Sequence, residues 1–175
     1  LLTIYQDQSK RIEEVRKHRT SSKDKSLNAL AKRSHQYRDR NIPKTNMLLA
    51  PIVSSENREY LPTELKPNNT QAINSAFAIY DSPLWNMALI TSRIHLIWIA
   101  TVCGKLKTDF RYSNTLGWNT FPVPKLTEKN KQDLTSCAED ILLARESYFP
   151  LTIADLYDPD KMPDNLRAAH DRNDE

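Results

Sequence analysis

Apolar positions dominate the chain from residue 82 to 124 and predict one long helix followed by a segment of different character. Between residues 83 and 103 the apolar side chains fall at helical spacing and also fill most of the remaining circumference, a pattern typical of a buried helix. Asp81 or Ser82 is expected to cap this helix at its N-terminus. Gly104 is expected to close it in the left-handed conformation.

Two polar residues interrupt the helix near its centre. A charge at the position of Arg93 costs at least about 2.5 kcal/mol in a bilayer, so the apolar run does not indicate a transmembrane helix. The side chains of Arg93 and His95 project either from the one side of the helix that is in solvent or hydrogen-bonded, or toward a ligand. The first alternative fits the burial habits of these residue types. The pattern leaves both interpretations open.

Strand-like segments precede this helix. The β-branched and apolar run over residues 47–55 predicts a first strand, with Pro51 indicating an edge or a bulge. Residues 60–65 and 72–80 predict a second and a third strand. The predicted fold class is therefore α+β, a small sheet packed on a long buried helix and followed by a C-terminal helical subdomain.

Helical patterns occupy both ends of the chain. A thin apolar stripe predicts a first helix over residues 5–20, and residues 127–148 follow the 3, 4, 7 spacing of an amphipathic helix capped by Thr127. Thr152 is expected to cap a short helix, and Pro163 to open a last one. We divide the chain into a basic helical lead-in (1–46), an α+β core (47–126) and the C-terminal helical subdomain (127–175).

Charge is distributed unevenly over these parts, although the net charge of the whole chain is only +3. Residues 1–46 carry twelve Lys/Arg against five Asp/Glu, and residues 127–175 carry six against twelve. The basic and acidic parts either face each other, or they form a basic surface for an anionic polymer and an acidic surface turned away from it or toward a partner domain. Charge alone does not decide between these alternatives.

The segment after Gly104 is neither strand nor helix by its period, but it is dense in residues that contact nucleic acids. Lys105, Lys107 and Arg111 suit phosphates or guanine edges, and Asn114 suits adenine edges. Phe110, Tyr112 and Trp118 offer flat surfaces for base stacking. Such residues also simply occur in loops, and the aromatic ones, Trp118 and Phe121 above all, are expected to fill the core.

The sequence contains no pattern typical of the other functional classes considered below. Two glycines thirteen positions apart cannot form a phosphate-binding loop, and two cysteines make neither a disulfide framework nor a zinc site. The four histidines are scattered, without an HExxH or nucleophile-elbow motif. The aspartates of residues 157–164 lack the glycine and the late glutamate of a calcium loop. An independent hydrolase is therefore not indicated.

The order of several motifs resembles one family. The stretches SRIHLIW, CGKLKTDFRYSNT, NTFPVP and ADLYDPDKMP occur in this order and are similar to the C-terminal target-recognition region of MmeI-like adenine-N6 DNA methyltransferases, many of which are fused to an endonuclease. The resemblance covers nearly the whole chain. It implies that residues 47–126 are the target-recognition core.

This resemblance implies a division of labour within a longer protein. The parent enzyme would bind S-adenosylmethionine and flip an adenine with an NPPY-type motif, which this chain lacks. We therefore expect no catalytic residue, cofactor or metal site in this chain. The expected partners are duplex DNA and the N-terminal methyltransferase domain of the same polypeptide, in the cytoplasm of a bacterium and without a membrane.

The residues and the resemblance together give a predicted DNA-binding set. It consists of Arg40, Lys44, Arg58, Arg93, Lys105, Lys107, Arg111, Tyr112 and Asn114. The alternative function is a non-catalytic scaffold module whose acidic C-terminal helices dock partner domains or subunits.

Overall fold

The chain folds into two compact units, one ending at Asn41 and one running from Ile42 to Glu175. This computed structural model describes residues 2–175, with side chains from Asp7 onward. Within that part of the chain, every helix is too short or too polar to cross a bilayer.

The first unit is helical. It contains α1 (Leu2–Thr20), α2 (Lys25–Ala29) and a 3₁₀ turn (Leu30–Arg33). The carboxylate of Asp24 caps α2 by accepting hydrogen bonds from the backbone N–H groups of Ser26 and Leu27. The predicted first helix is confirmed.

The guanidinium of Arg19 holds this unit together. It is buried and donates hydrogen bonds to the carbonyl oxygens of Leu30 (3.1 Å), Arg33 (3.0 Å) and Gln36 (2.9 Å). Carbonyl groups at the C-terminal end of a helix have no partner within the helix, and a cation supplies one. One arginine thus joins the end of α1 to the turn that follows α2.

The second unit begins with a three-stranded antiparallel sheet. β1 (Asn46–Pro51) lies between β3 (Glu64–Pro67) and β4 (Ala76–Tyr80). All three predicted strands exist, but the second and third begin four residues later than predicted. Turns account for the delay, because the N–H of Thr63 bonds to the carbonyl of Leu61 (2.9 Å) and that of Ala76 to the carbonyl of Ile73 (3.2 Å).

A second antiparallel sheet was not predicted. It consists of β2 (Val53–Ser54), β5 (Gly104–Leu106) and β6 (Asp109–Arg111), in the order β2-β6-β5. The prediction that residues 105–124 contain no regular structure is therefore wrong. Strands of two or three residues are too short to show an alternating pattern. A π-helical turn follows at Asn114–Trp118.

Ile52 connects the two sheets. It stands between β1 and β2, where its N–H donates to the carbonyl of Ser75 (3.0 Å) and its carbonyl accepts from the N–H of Tyr112 (2.7 Å). Ser75 directly precedes β4, and Tyr112 directly follows β6. One residue therefore bonds to the chain of both sheets.

The predicted long helix is two helices, α3 (Trp85–Thr91) and α4 (Arg93–Val102). Ser92 separates them with an extended backbone (ψ 152°). Its hydroxyl donates to the carbonyl of Leu89 (2.7 Å) and accepts from the N–H of His95 (3.2 Å). Serine offers the backbone this alternative to helical hydrogen bonding, which is why it ends one helix and caps the next.

The expected caps of that helix are also wrong. Asp81 does not cap α3; its carboxylate accepts from the N–H groups of Lys44 (2.7 Å) and Thr45 (2.8 Å), and its own backbone is left-handed (φ 51°). Gly104 does not close α4 in the left-handed conformation, because it begins β5 and its φ is not positive. The contacts of Asp81 join segments more than thirty residues apart, and β5 is only three residues long, so the local sequence reveals neither role.

Burial differs between the two helices. α3 buries Met87, Ala88 and Ile90, whereas α4 leaves Ile94 (68 % exposed) and Ile97 (64 % exposed) in solvent. These two isoleucines border an apolar groove of about 380 Å³ that is also lined by residues 121–124. The prediction of a helix buried on every side is therefore wrong for α4.

Three C-terminal helices complete the second unit: α5 (Glu128–Glu146), α6 (Ile153–Leu156) and α7 (Asp164–Asp174). Thr127 and Thr152 cap their helices, as predicted, and both do so in capping boxes. The larger core cluster joins β1, α3, α5 and α7 through Leu48, Met87, Ile141 and Leu166. The α+β fold class with C-terminal helices is confirmed.

A buried polar network lies among these helices. The guanidinium of Arg145 donates from Nη1 to the carbonyl of Thr63 (2.8 Å) and from Nε to the hydroxyl of Tyr157 (2.9 Å). That hydroxyl also lies 2.6 Å from Nε2 of His170, whose ring stacks on Tyr60. Burial, reinforced by Arg145 and Arg93, lowers the pKa of His170 to about 3, so its imidazole is neutral.

Candidate nucleic-acid interface

The β5–β6 hairpin carries three of the predicted DNA-binding cations. Its two-residue turn consists of Lys107 and Thr108, and Gly104 pairs with Arg111 across the strands. Arg111 also pairs with Val53 of β2. Because paired residues project from the same face of a sheet, Arg111 shares its face with Val53 and Gly104, whereas Lys105 shares the opposite face with Phe110.

Lys107 and Arg111 are exposed, and neither has an ion-pair partner among the described residues. Lys107 stands at the tip of the hairpin with φ at 58°, a conformation that Gly, Asn or Asp adopts at less cost than Lys. The charge of both side chains is thus available to an anion outside the chain.

The charge of Lys105 is partly offset by contacts within the chain. Its ammonium lies 3.3 Å from a carboxylate oxygen of Glu56 and 5.6 Å above the ring of Phe110. Lys105 and Glu56 are both exposed, and such pairs stabilise a fold by about 0.2–1 kcal/mol. A polyanion can therefore displace Glu56 at small cost.

The segment that follows the hairpin divides into buried and exposed residues. Tyr112 is only 4 % exposed, and its hydroxyl lies 3.2 Å from Nε2 of His95. Burial, with a smaller contribution from Cys103, raises the pKa of Tyr112 above its ordinary value. Asn114 is exposed at the first position of the π-helical turn, and its side-chain oxygen accepts from Thr115 (3.5 Å). Of these two residues, Asn114 is the one that is accessible to a base edge.

An aromatic cluster lies beneath this segment. His95 is fully buried and packs with its ring 4.6 Å from that of Phe121 and 5.9 Å from that of Trp118. Burial lowers the pKa of His95 to about 4. Trp118 and Phe121, half-buried against this histidine, pack on the core rather than projecting as free stacking surfaces.

Arg93 is bound by acidic residues of the same unit. Its guanidinium lies 2.9 Å from Asp171, 3.4 Å from Glu59 and 3.7 Å from Asp174, and 5.0 Å above the ring of Tyr60. The backbone N–H of Arg93, at the start of α4, also donates to Asp174 (2.9 Å). Arg93 therefore joins α4 to the end of α7.

The remaining predicted residues lie elsewhere. Arg58 is half-buried, and its Nε donates to the carbonyl of Tyr157 (3.3 Å). Lys44 is exposed on a backbone that Asp81 holds in place. Arg40 is exposed within the first unit.

Sequence reasoning did not identify two apolar residues near Arg111. Val53 (38 % exposed) pairs directly with Arg111, and Leu106 (50 % exposed) lies one step further along the same face of β5. An apolar contact of this kind suits the methyl group of thymine. The signal was absent from the sequence because β2 and β5 were not recognised as strands of one sheet.

The chain is similar to known proteins over almost its whole length. Residues 3–125 match the family described as MmeI, target recognition domain, and residues 126–175 match MmeI, C-terminal domain. DNA methyltransferase A of Bacillus subtilis (strain 168) is 38 % identical over 164 residues, which are 94 % of this chain and 18 % of that protein.

A solved structure is similar as well. The Type IIL restriction-modification enzyme MmeI in complex with DNA superposes with a TM-score of 0.86 at 33 % sequence identity, over 93 % of this chain and 22 % of that one. The chain thus spans about a fifth of the length of both relatives.

Proposed function

Because the chain belongs to the MmeI family, as its target recognition domain followed by its C-terminal domain, we propose that it binds duplex DNA and reads its sequence. The relative of similar structure was solved in complex with DNA. The observation that carries the proposal within this chain is the β5–β6 hairpin, where Lys107 at the tip and Arg111 at the opposite end are exposed and have no ion-pair partner among the described residues.

Different residues have different roles in this proposal. Lys107 and Lys105 contact phosphates, which fix the position of the protein on the duplex without reading its sequence. Arg111 and Asn114 reach base edges, where Arg pairs with guanine and Asn with adenine. Lys44, Arg58 and Arg40 stay in the predicted set as further phosphate contacts.

Two residues of the predicted set have structural roles in this proposal. Tyr112 is buried and bonded to His95, so its ring is not accessible to a base. Arg93 is surrounded by three carboxylates, which offset its charge. We assign both residues to the support of the interface.

The chemistry lies outside this chain in the proposal. A relative is a DNA methyltransferase of which this chain covers 18 %, and the longer protein would transfer a methyl group from S-adenosylmethionine to adenine N6. The target-recognition surface would hold the duplex while the adenine leaves the stack, which takes a few kcal/mol. We place this activity in the bacterial cytoplasm, beside an N-terminal methyltransferase domain of the same polypeptide.

A salt titration of DNA binding tests the proposal. The purified 175-residue chain should bind a fluorescent duplex with an affinity that falls steeply with salt, with a slope near −0.9 per phosphate contact. Lys107→Ala should reduce the slope by about 1. Lys129→Ala removes an exposed lysine of α5 that has no ion-pair partner within the described part of the chain. It serves as the matched control and should leave the slope unchanged.

Absence of binding at low salt, or binding that does not respond to salt, would contradict the proposal and favour the scaffold alternative.

A further inference from the structure

The two glycines of the chain differ in what the fold requires of them. A Cβ atom at Gly117 would lie 3.1 Å from a ring carbon of Tyr112, 3.2 Å from Ile99 and 3.3 Å from the sulfur of Cys103. A Cβ atom at Gly104 would have no atom within 4 Å. Packing therefore explains Gly117 and does not explain Gly104.

Backbone conformation does not explain Gly104 either. Its φ is not positive, so any residue can adopt its conformation. Glycine in a strand weakens the strand, because it loses more conformational freedom on folding and has no side chain to pack. Gly104 thus stands at a position where another residue would stabilise the fold.

The same hairpin shows the opposite choice at its tip. Lys107 has a left-handed backbone (φ 58°), which glycine adopts at less cost. A lysine therefore occupies the position that favours glycine, and a glycine occupies a position that any residue fits. Both choices agree with selection for contact with a ligand rather than for the stability of the hairpin.

The neighbours of Gly104 indicate what approaches it. Gly104 pairs directly with Arg111, so the two lie on the same face of the small sheet. β5 is one of the two edge strands of that sheet, so no further strand among the described residues pairs with it on the side away from β6. The missing side chain leaves open space beside an exposed guanidinium.

We infer that Gly104 provides the space through which duplex DNA reaches Arg111. The β5–β6 ribbon would lie in the major groove, which admits a two-stranded ribbon, with Lys107 on the phosphates at its tip. The edge of a base pair or the adjoining backbone then passes over Gly104 to meet the guanidinium of Arg111. This inference rests on the proposed function, and it adds a residue whose contribution is the absence of a side chain.

A comparison of Gly104→Val with Arg111→Ala tests the inference. Gly104→Val should keep or raise the melting temperature, since a β-branched residue suits a strand and the space around it is open. The affinity of the 175-residue chain for duplex DNA should fall by about tenfold or more. Gly104→Ala should have the same effect to a smaller degree.

A double-mutant cycle separates this effect from an unspecific one. If Gly104 acts by admitting DNA to Arg111, Gly104→Val should weaken binding by less than about threefold once Arg111→Ala is present. The salt slope should change little with Gly104→Val, because the phosphate contacts of Lys107 remain. Gly117→Ala serves as the control for a glycine that the fold needs, and it should lower the melting temperature.

The outcomes are distinguishable. If the unaltered chain does not bind DNA, the proposed function fails and the inference fails with it. If the chain binds DNA and Arg111→Ala weakens binding, but Gly104→Val binds as the unaltered chain does, only the inference is overturned. A fall in the melting temperature of Gly104→Val would also overturn it, because the glycine would then serve the fold.

Discussion

The arginines of the C-terminal helices have partners within the chain, whereas Lys107 and Arg111 of the β5–β6 hairpin have no ion-pair partner in the part of the chain that the structure describes. Arg145 bonds to Tyr157 and Thr63, Arg167 pairs with Glu59, and Arg172 pairs with Asp140. A cation that is bonded inside the molecule contributes to the fold, and one that pairs with a carboxylate adds little to the external field. An unpaired exposed charge keeps its attraction for an outside anion, so the two regions divide stability and binding between them.

Acidification should destabilise both regions at once and gives the largest expected effect. The buried imidazoles of His170 and His95 have pKa values of about 3 and about 4, against 6.5 in the unfolded chain. The unfolded state therefore binds more protons below about pH 6.5. The free energy of unfolding should fall by about 4 kcal/mol between about pH 7 and pH 5, at about 1.4 kcal/mol per histidine and pH unit.

Urea unfolding at a series of pH values measures this slope. His170→Gln and His95→Gln should each remove about half of the pH dependence of the free energy of unfolding. The two variants thus show how much each histidine contributes. A free energy of unfolding that stays constant over this range would contradict the neutral, buried state of both rings.

Arg145→Met tests the role of a paired cation. The substitution leaves the buried oxygens of Thr63 and Tyr157 without a charged donor, and the chain should lose about 3 kcal/mol of stability. The midpoint of urea unfolding measures the loss. Arg172→Met, at an exposed pair with Asp140, is the matched control and should cost less than about 1 kcal/mol. Equal losses of stability in Arg145→Met and Arg172→Met would contradict the distinction between a buried, hydrogen-bonded arginine and an exposed ion pair.

Arg111→Ala should show the reverse behaviour. The side chain is exposed and has no ion-pair partner among the residues that the structure describes, so stability should change by less than about 0.5 kcal/mol. The affinity for duplex DNA should fall by about 1–3 kcal/mol, with relaxed specificity at one base pair. Titrations against duplexes that differ at single positions measure both effects. Arg172→Ala removes the same charge from a paired site and should leave specificity unchanged.

Arg93→Ala should have the smallest effect, and it best distinguishes a residue that supports the fold from one that binds DNA. Its carboxylate partners are partly exposed, so Arg93→Ala should cost about 1 kcal/mol of stability or less, and it should affect DNA binding less than Arg111→Ala does. Unfolding and DNA titrations of the same protein measure the two. If Arg93→Ala weakens binding as strongly as Arg111→Ala without loss of stability, Arg93 belongs to the interface and the division between the regions is wrong.

Local signals in the sequence were sufficient for the elements that depend on local contacts. Thr127 and Thr152 cap their helices through residues three positions away, and the amphipathic pattern identified α5. The break at Ser92 was missed because a serine within an apolar helix pattern is compatible with either outcome. The second sheet was missed because its strands are only two or three residues long and because β2 pairs with β6 across more than fifty residues.

The sequence predicted which residue types the candidate site contains, but not which of them are exposed. Lys107 and Tyr112 stand five positions apart and looked equally suited to contact nucleic acid. The turn places Lys107 at the hairpin tip, and the hydrogen bond to His95 places Tyr112 in the core. Which side of a strand faces solvent depends on the register of its partners, and the sequence of β6 does not contain that information.

The hydrogen bonds of Ile52 have a consequence for the accuracy of recognition. Ile52 bonds to Ser75 and to Tyr112 and joins β1, the central strand of the first sheet, to β2. The hairpin that presents Arg111 pairs with β2 and is therefore fixed to the first sheet rather than standing as a free loop. A surface held in this way is ordered before DNA arrives, so less conformational entropy is lost on binding. It also cannot shift to accommodate a mismatched site, and the full cost of an unsatisfied base edge falls on the wrong sequence.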